Sequence, residues 1–392
     1  MDMCTARVVI TIDRVPLSHP PDDPRRPMME RAFRMKWSAS LVGCVSWLSL
    51  HAQITAPLDS ARHRPEFSGF VDVYHVYDIA LPEDGYRPSF LYNHNRSNEV
   101  ALNLGLAQVE YENDRLRTAL GLMVGTYPQA NLSAEPPLLR NVYEARIGFK
   151  LHRTKAIWLD AGVFSSHLGM ESAVSMDDRT LTRSLNAENS PYYLSGAKVT
   201  WTISSKLEVA GLFVNGWQRM QRVQQYTPCF GTQVLWTMKK GTQFNWSTFL
   251  GSDTPDSLGL YRVFNNFWWS WEGEKWGVKL AADVGVQEAA IGNEWDQWST
   301  GVAILRRRVT PKLYGVGRVE FFKDPEQVVV TTGYDQGLST MGYSLGLDLE
   351  VMPEALVRIE GRWFQSEDPV FVGDPGPVKD NAAVTLSMAA RF

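Results

Sequence analysis

The sequence predicts an all-β fold, a transmembrane antiparallel up-and-down β-barrel of about sixteen strands, with fourteen to eighteen allowed. Three observations predict it. Apolar residues recur with a period of two in run after run. The connections between runs alternate long and short, as they do when one rim of a barrel carries tight turns and the other carries loops. The last run, Asn381 to Phe392, puts Ala382, Val384, Leu386, Met388, Ala390 and Phe392 on one parity and smaller or polar residues on the other. Such a strand can turn one face to lipid and close a barrel.

The runs follow in order from Glu66. Glu66–Ala80 leads through a long polar link to Arg96–Glu112, where Val100, Leu102, Leu104 and Leu106 share a parity. A turn at Asn113-Asp114 precedes Arg115–Thr126. A longer link with Pro128, Pro136 and Pro137 reaches Asn141–His152, then a short turn and Ala156–Ser165. The longest link of this half, Ser166–Ser190, precedes Tyr192–Thr202 and Lys206–Trp217, which a tight turn joins. Phe230–Met238 and Thr242–Leu250 flank Lys239-Lys240-Gly241, and Gly259–Trp271 and Lys275–Gln287 flank Glu272-Gly273-Glu274. Trp295–Arg307 and Lys312–Phe322 flank Thr310-Pro311. Met341–Val351 and Ala355–Phe364 flank Met352-Pro353-Glu354, and a Pro-rich link reaches the closing strand. An even strand count returns both ends to the rim of short turns. The closing strand should then pair with Ala355–Phe364 and Glu66–Ala80, because an open edge in lipid leaves backbone groups unpaired.

Composition agrees. The 392 residues are 44% hydrophobic and 21% charged, with 14 Trp of the kind that line membrane interfaces. Mean hydropathy is -0.22, and past Gln53 no run approaches the roughly 20 apolar residues that a spanning helix needs. A net charge of -4 gives no reason to expect nucleic acid. Met35-Lys36 and the small or apolar stretch to Ala52 form a signal-peptide pattern, residues 35–52. Residues 1–34 are then a leader or a mis-assigned start, 53–65 an N-terminal periplasmic segment and 66–392 the barrel. The rival reading of the export signal is a lipobox, Leu41-Val42-Gly43-Cys44. Cys4 and Cys44 fall in the segment expected to be removed, so Cys229 implies no disulfide framework.

With apolar residues turned outward, Asp348, Glu350, Arg358, Glu360 and Arg362 face the lumen, and the turn at Pro353 sets Asp348 opposite Arg358. These charges either neutralise one another in a wet lumen or form a ladder that orients ions. The link Ser166–Ser190 mixes Glu171, Asp177, Asp178, Arg179 and Arg183 with Leu168, Met170, Val174, Leu181 and Leu185. That mixture suits a loop that folds into the lumen and narrows it, against an ordinary folded outer loop. Mid-strand Gly105, Gly148, Gly162, Gly211, Gly285 and Gly346 mark bends or close approaches. His167 and Glu171 are an acid–His pair close in sequence, and a solvated loop pair accounts for it. No nucleophile elbow, zinc motif, P-loop, dinucleotide fingerprint or calcium loop is present, so no catalytic residue, metal or cofactor is implied.

Six stretches carry a family resemblance: Leu139–Ala145, Trp158–Gly162, Leu181–Leu185, Ala187–Tyr193, Asn215–Arg219 and Phe264–Phe267. Together they resemble the putative beta-barrel porin family, OmpL-like, of Bacteroidetes-type outer membranes, over Phe67 to Phe392. The resemblance implies an outer-membrane barrel classed as a porin, with no catalytic residues to carry over. The expected function is passive diffusion of small hydrophilic solutes. The alternative is a plugged barrel serving as a surface scaffold or carrying a rim-site enzyme. Expected partners are outer-membrane lipid, small polar solutes and the barrel assembly machinery at Phe392, with monomer and trimer both open.

Overall fold

The computed structural model describes residues 64–392, apart from 223, 225 and 240. The leader, the signal pattern, the lipobox, Cys4, Cys44 and most of the 53–65 segment lie outside the described residues. Sixteen strands follow in sequence: β1 (Glu66–Asp78), β2 (Val100–Glu112), β3 (Leu116–Val124), β4 (Val142–Lys150), β5 (Ala156–Ser165), β6 (Tyr193–Ser204), β7 (Leu207–Val214) and β8 (Cys229–Lys239). Then come β9 (Thr242–Gly251), β10 (Arg262–Glu272), β11 (Trp276–Glu288), β12 (Trp295–Arg308), β13 (Leu313–Asp324), β14 (Leu338–Met352), β15 (Ala355–Ser366) and β16 (Asp380–Arg391). Each pairs antiparallel with its sequence neighbours, and β1 pairs with β16, so the sheet closes into a barrel.

The closing seam runs from Phe70↔Arg391 to Asp78↔Ala383. Beyond it, Gly69 N donates to Phe392 O at 2.7 Å and Phe392 N donates to Gly69 O at 3.0 Å. Parity on β16 is as the sequence predicts. Val384, Leu386 and Met388 are 42%, 46% and 63% exposed, whereas Thr385, Ser387 and Ala389 are at most 3% exposed. In a bilayer the exposed set faces lipid and the buried set faces the lumen.

Some strand ends differ from expectation. β2 begins at Val100, because Arg96 instead forms an isolated bridge with Tyr86. β7 stops at Val214, and Trp217 turns inward onto Phe249, Phe264 and Trp298. On β2 the apolar parity itself departs from an outward face. The register steps from Asp72↔Leu104 to Val73↔Leu102, a bulge at Asn103 that leaves Asn103 and Leu104 both fully buried, and Leu104 and Leu106 then meet the short helix α1 (Thr126–Asn131) with Met123, Tyr127 and Leu132. Gly162 marks a close approach: its φ is +128°, and a Cβ there would lie 2.1 Å from Ala145 O.

The long-loop end of the lumen is apolar. Phe164, Phe249, Phe264, Trp298, Phe322 and Phe364 point inward from near the ends of their strands. Phe90, Leu168, Leu185, Trp217, Val330 and Phe371 meet them from the links, forming one buried cluster. The barrel therefore has lipid outside, a hydrophobic layer inside one mouth and a charged interior below it.

The seam gives a direct test. Deleting Phe392 removes two ladder hydrogen bonds, whereas Phe392→Ala keeps them. The deletion is expected to lower the heat-modifiable, folded fraction on a gel more than Phe392→Ala does; equal folding of both would show that the backbone seam does not limit closure.

Candidate functional site

The segment 166–192 enters the lumen, and its course is fixed by bonds to the wall. It starts at the long-loop end, where Ser166 N donates to Tyr192 O at 2.9 Å. His167 Nε2 lies 2.8 Å from Thr248 O, and His167 O accepts from Ser247 Oγ at 2.8 Å. Burial pushes the His167 imidazole down to about 4. Gly169 N then donates to Asn266 Oδ1 at 3.1 Å, and Lys279 Nζ donates to Met170 O at 3.1 Å.

The chain turns back at the short-turn end, through a 3-10 turn at Ser175–Asp177. Arg358 Nη1 donates to Ser175 O at 2.7 Å, and its Nη2 donates to Asp178 O at 3.3 Å and Arg179 O at 3.0 Å. Ser175 Oγ donates to Asp72 Oδ2 at 2.8 Å. Asp177 pairs with Arg391 of β16 at 2.8 Å, and Arg179 pairs with Glu272 at the end of β10.

The ascending half is held as closely. Thr182 N and Thr182 Oγ1 each donate to Glu360 at 2.8 Å, and Arg318 Nη1 donates to Thr182 O at 2.6 Å. Leu185 N donates to Glu320 Oε2 at 2.6 Å, at the start of α2 (Leu185–Glu188). Glu188 accepts from Tyr92 N at 2.9 Å and from Asn93 N at 3.3 Å, tying the loop to the link after β1.

This sorts the residues that the sequence singles out. Asp348, Arg358, Glu360 and Arg362 are all on the wall, and the register sets Asp348 opposite Arg358. None is more than 4% exposed. They face the loop and one another rather than open water: Arg358 Nε lies 2.8 Å from Asp348, Arg318 Nη2 2.7 Å from Glu360 and Arg362 Nη2 2.6 Å from Glu320. The physical reason is that paired wall charges can also bind main-chain N–H and C=O groups, which a folded-in loop must satisfy somewhere. Arg318 and Glu320 also bind the loop and the wall charges, and the sequence reading missed them, although they share the inward parity of β13. Asp72, which gathers Ser175, Ser387, His94 and Asn103, was missed as well.

Glu171, Asp177, Asp178 and Arg183 sit on the loop and line one cavity of about 320 Å³, together with Tyr127 and Tyr192. Arg179 points away to Glu272. Burial raises the Asp178 carboxyl, and the Glu171 carboxylate beside it adds to the rise. His167 and Glu171 are not a pair, since His167 is bound to β9 and Glu171 accepts from Ser184.

The β3–β6 wall carries its own charges. Arg117 grips Asp160 through Nε at 2.7 Å and through Nη2, and Arg146 bridges Glu144 at 2.5 Å and Asp160 at 3.5 Å. Gly148 makes room for that grip, because a Cβ there would lie 2.3 Å from Asp160 Oδ1. The Arg117 and Arg146 side chains stay 21% and 20% exposed, unlike the charges under the loop.

Arg358→Ala would leave Asp348 and three loop carbonyls short of a donor, a loss of about 3–5 kcal/mol for a broken buried pair. The expected result is faster hydrogen exchange over 175–183 in a barrel that still runs as folded; unchanged protection there would contradict the latch.

The sequence model of the family described as "Putative beta-barrel porin-2, OmpL-like" matches residues 65–392. No curated protein matches the chain. Among solved structures, the chain is similar to an anion-selective porin from Comamonas acidovorans, with a TM-score of 0.57 and 7% identity, covering 84% of this chain and 100% of that one. It is also similar to outer-membrane expressed OmpT of Vibrio cholerae, with a TM-score of 0.56 and 9% identity over 86% and 99% of the two chains. Salmonella typhi OmpF, solved with daunomycin, gives a TM-score of 0.54 and 11% identity over 84% and 97%. At these identities the likeness is one of fold.

Proposed function

The chain belongs to the OmpL-like putative beta-barrel porin-2 family of outer-membrane barrels, and from that premise we propose that it is a narrow channel for passive diffusion of small hydrophilic solutes. The observation that carries this reading is the cavity of about 320 Å³ between the loop and the wall, lined by Glu171, Asp177, Asp178 and Arg183. These four form the constriction, and width and charge there select solutes. Asp348, Arg358, Glu360 and Arg362 act on the same path indirectly, by holding the loop in place. The partly exposed Arg117 and Arg146 line the approach from the short-turn rim. The protein is not an enzyme in this reading, and the barrel assembly machinery meets it at Phe392, which is 80% exposed.

A second reading has its own support. The apolar layer across the long-loop mouth favours a plugged barrel that serves as a surface scaffold.

Single-channel recording in a planar bilayer separates the two. The channel reading expects small, uniform steps from the intact protein and larger ones after deletion of 170–186. Silence from the intact protein with conductance after deletion would favour the plugged barrel, and silence from both would overturn the channel.

A further inference from the structure

Asp178 and Arg183 leave polar atoms unmatched inside the barrel. Both are buried: Asp178 is 6% exposed and Arg183 is 5% exposed. Asp178 Oδ1 accepts from Ser172 N at 2.8 Å, but Oδ2 has no partner. Arg183 Nη2 donates to Glu171 O at 3.3 Å, whereas Nε and Nη1 donate to nothing. The face of the guanidinium lies 3.2 Å from the centroid of the Tyr192 ring, so its edge is what remains to be bound. Both residues line the same cavity, with Glu171 and Asp177 beside them and Tyr127 and Trp268 among its apolar walls.

Buried charged groups with unmatched donor and acceptor atoms are unfavourable, so a ligand that matches those atoms is held strongly. A simple anion would satisfy Arg183 but meet the carboxylates of Glu171, Asp177 and Asp178. A simple cation would suit those carboxylates but meet the guanidinium. A neutral sugar can hydrogen-bond to both sites and compensates neither charge. Opposite charges on one small body fit both. At about 320 Å³ the cavity is of ligand size, at the small end of the usual range.

We infer that this cavity is a binding site for a small zwitterion, an α-amino acid, with its carboxylate on Arg183, its ammonium on Asp178 and its side chain toward Tyr127 and Trp268. The site deepens the channel reading and rests on it for the route by which the ligand arrives. Burial and the neighbouring Glu171 raise the Asp178 carboxyl, and an ammonium beside it offsets that cost.

The test uses the full barrel, purified in detergent and checked for heat-modifiable folding, titrated with L-leucine by calorimetry. Isoamylamine and 4-methylpentanoate each lack one of leucine's two charges, and glucose lacks both. Saturable leucine binding at least about tenfold tighter than any of the three is expected, as is a loss of about tenfold or more in folded Arg183→Gln and Asp178→Asn. Equal binding of glucose or of either singly charged analogue, or no leucine binding, would overturn the inference, and the wild-type comparison stands even where a variant does not fold. Bilayer recording of the same preparation keeps the two readings apart: conductance without leucine binding defeats the zwitterion site alone, and leucine binding without conductance defeats the channel alone.

Discussion

Charges placed on the inner wall of a barrel must be paired, hydrated or covered, and along β13–β15 they are paired and covered. Arg318, Glu320, Asp348, Arg358, Glu360 and Arg362 neutralise one another along β13–β15 and spend their remaining hydrogen-bonding capacity on the backbone of the loop 166–192. The exchange is mutual. A loop drawn into a lumen brings main-chain groups that water no longer serves, and the wall supplies acceptors for its N–H groups and donors for its carbonyls. Removing either side leaves the other unsatisfied. The course of the loop, the cavity beside it and the burial of the wall charges therefore stand or fall together.

The two mouths follow different physics. At the short-turn rim the strands end in tight turns, and the partly exposed charges of Arg117 and Arg146 face the lumen. At the other rim the links are long enough to fold back, and inward-facing aromatics give them something to pack on. Trp217 packs edge-on against Phe249, Phe264 and Trp298, and Arg262 lies over the faces of Trp217 and Trp298. That layer resembles the core of a soluble domain built inside a membrane barrel. It ties the links after β1, β5, β7, β13 and β15 into one body.

Most of the barrel was legible in the sequence because lipid imposes a strict alternation. A strand such as β11, with Val278, Leu280, Ala282, Val284 and Val286 outward, shows its face without any knowledge of its neighbours. The pairing of Asp348 with Arg358 was legible too, since a tight turn at Pro353 fixes the register between β14 and β15. What the wall charges hold was not. Arg358 binds three main-chain carbonyls, and a carbonyl carries no residue identity to read. Leu104 and Leu106 misled for a related reason: an apolar residue on a barrel strand faces lipid unless a loop supplies an apolar interior, and the sequence of β2 alone does not say that α1 will. Phe164, Phe264 and Trp298 lie on the inward parity for the same cause.

The loop reaches through the lumen to the short-turn rim. Asp177 and Arg391 mark that reach, because they pair at 2.8 Å and are still 47% and 44% exposed in their side chains. Cysteines placed at both positions in the full-length protein, treated with a short bis-maleimide in the outer membrane, measure it directly. A crosslink within one chain between the loop and β16 is expected in the folded barrel. Independent labelling of the two cysteines, with no crosslink, would contradict it.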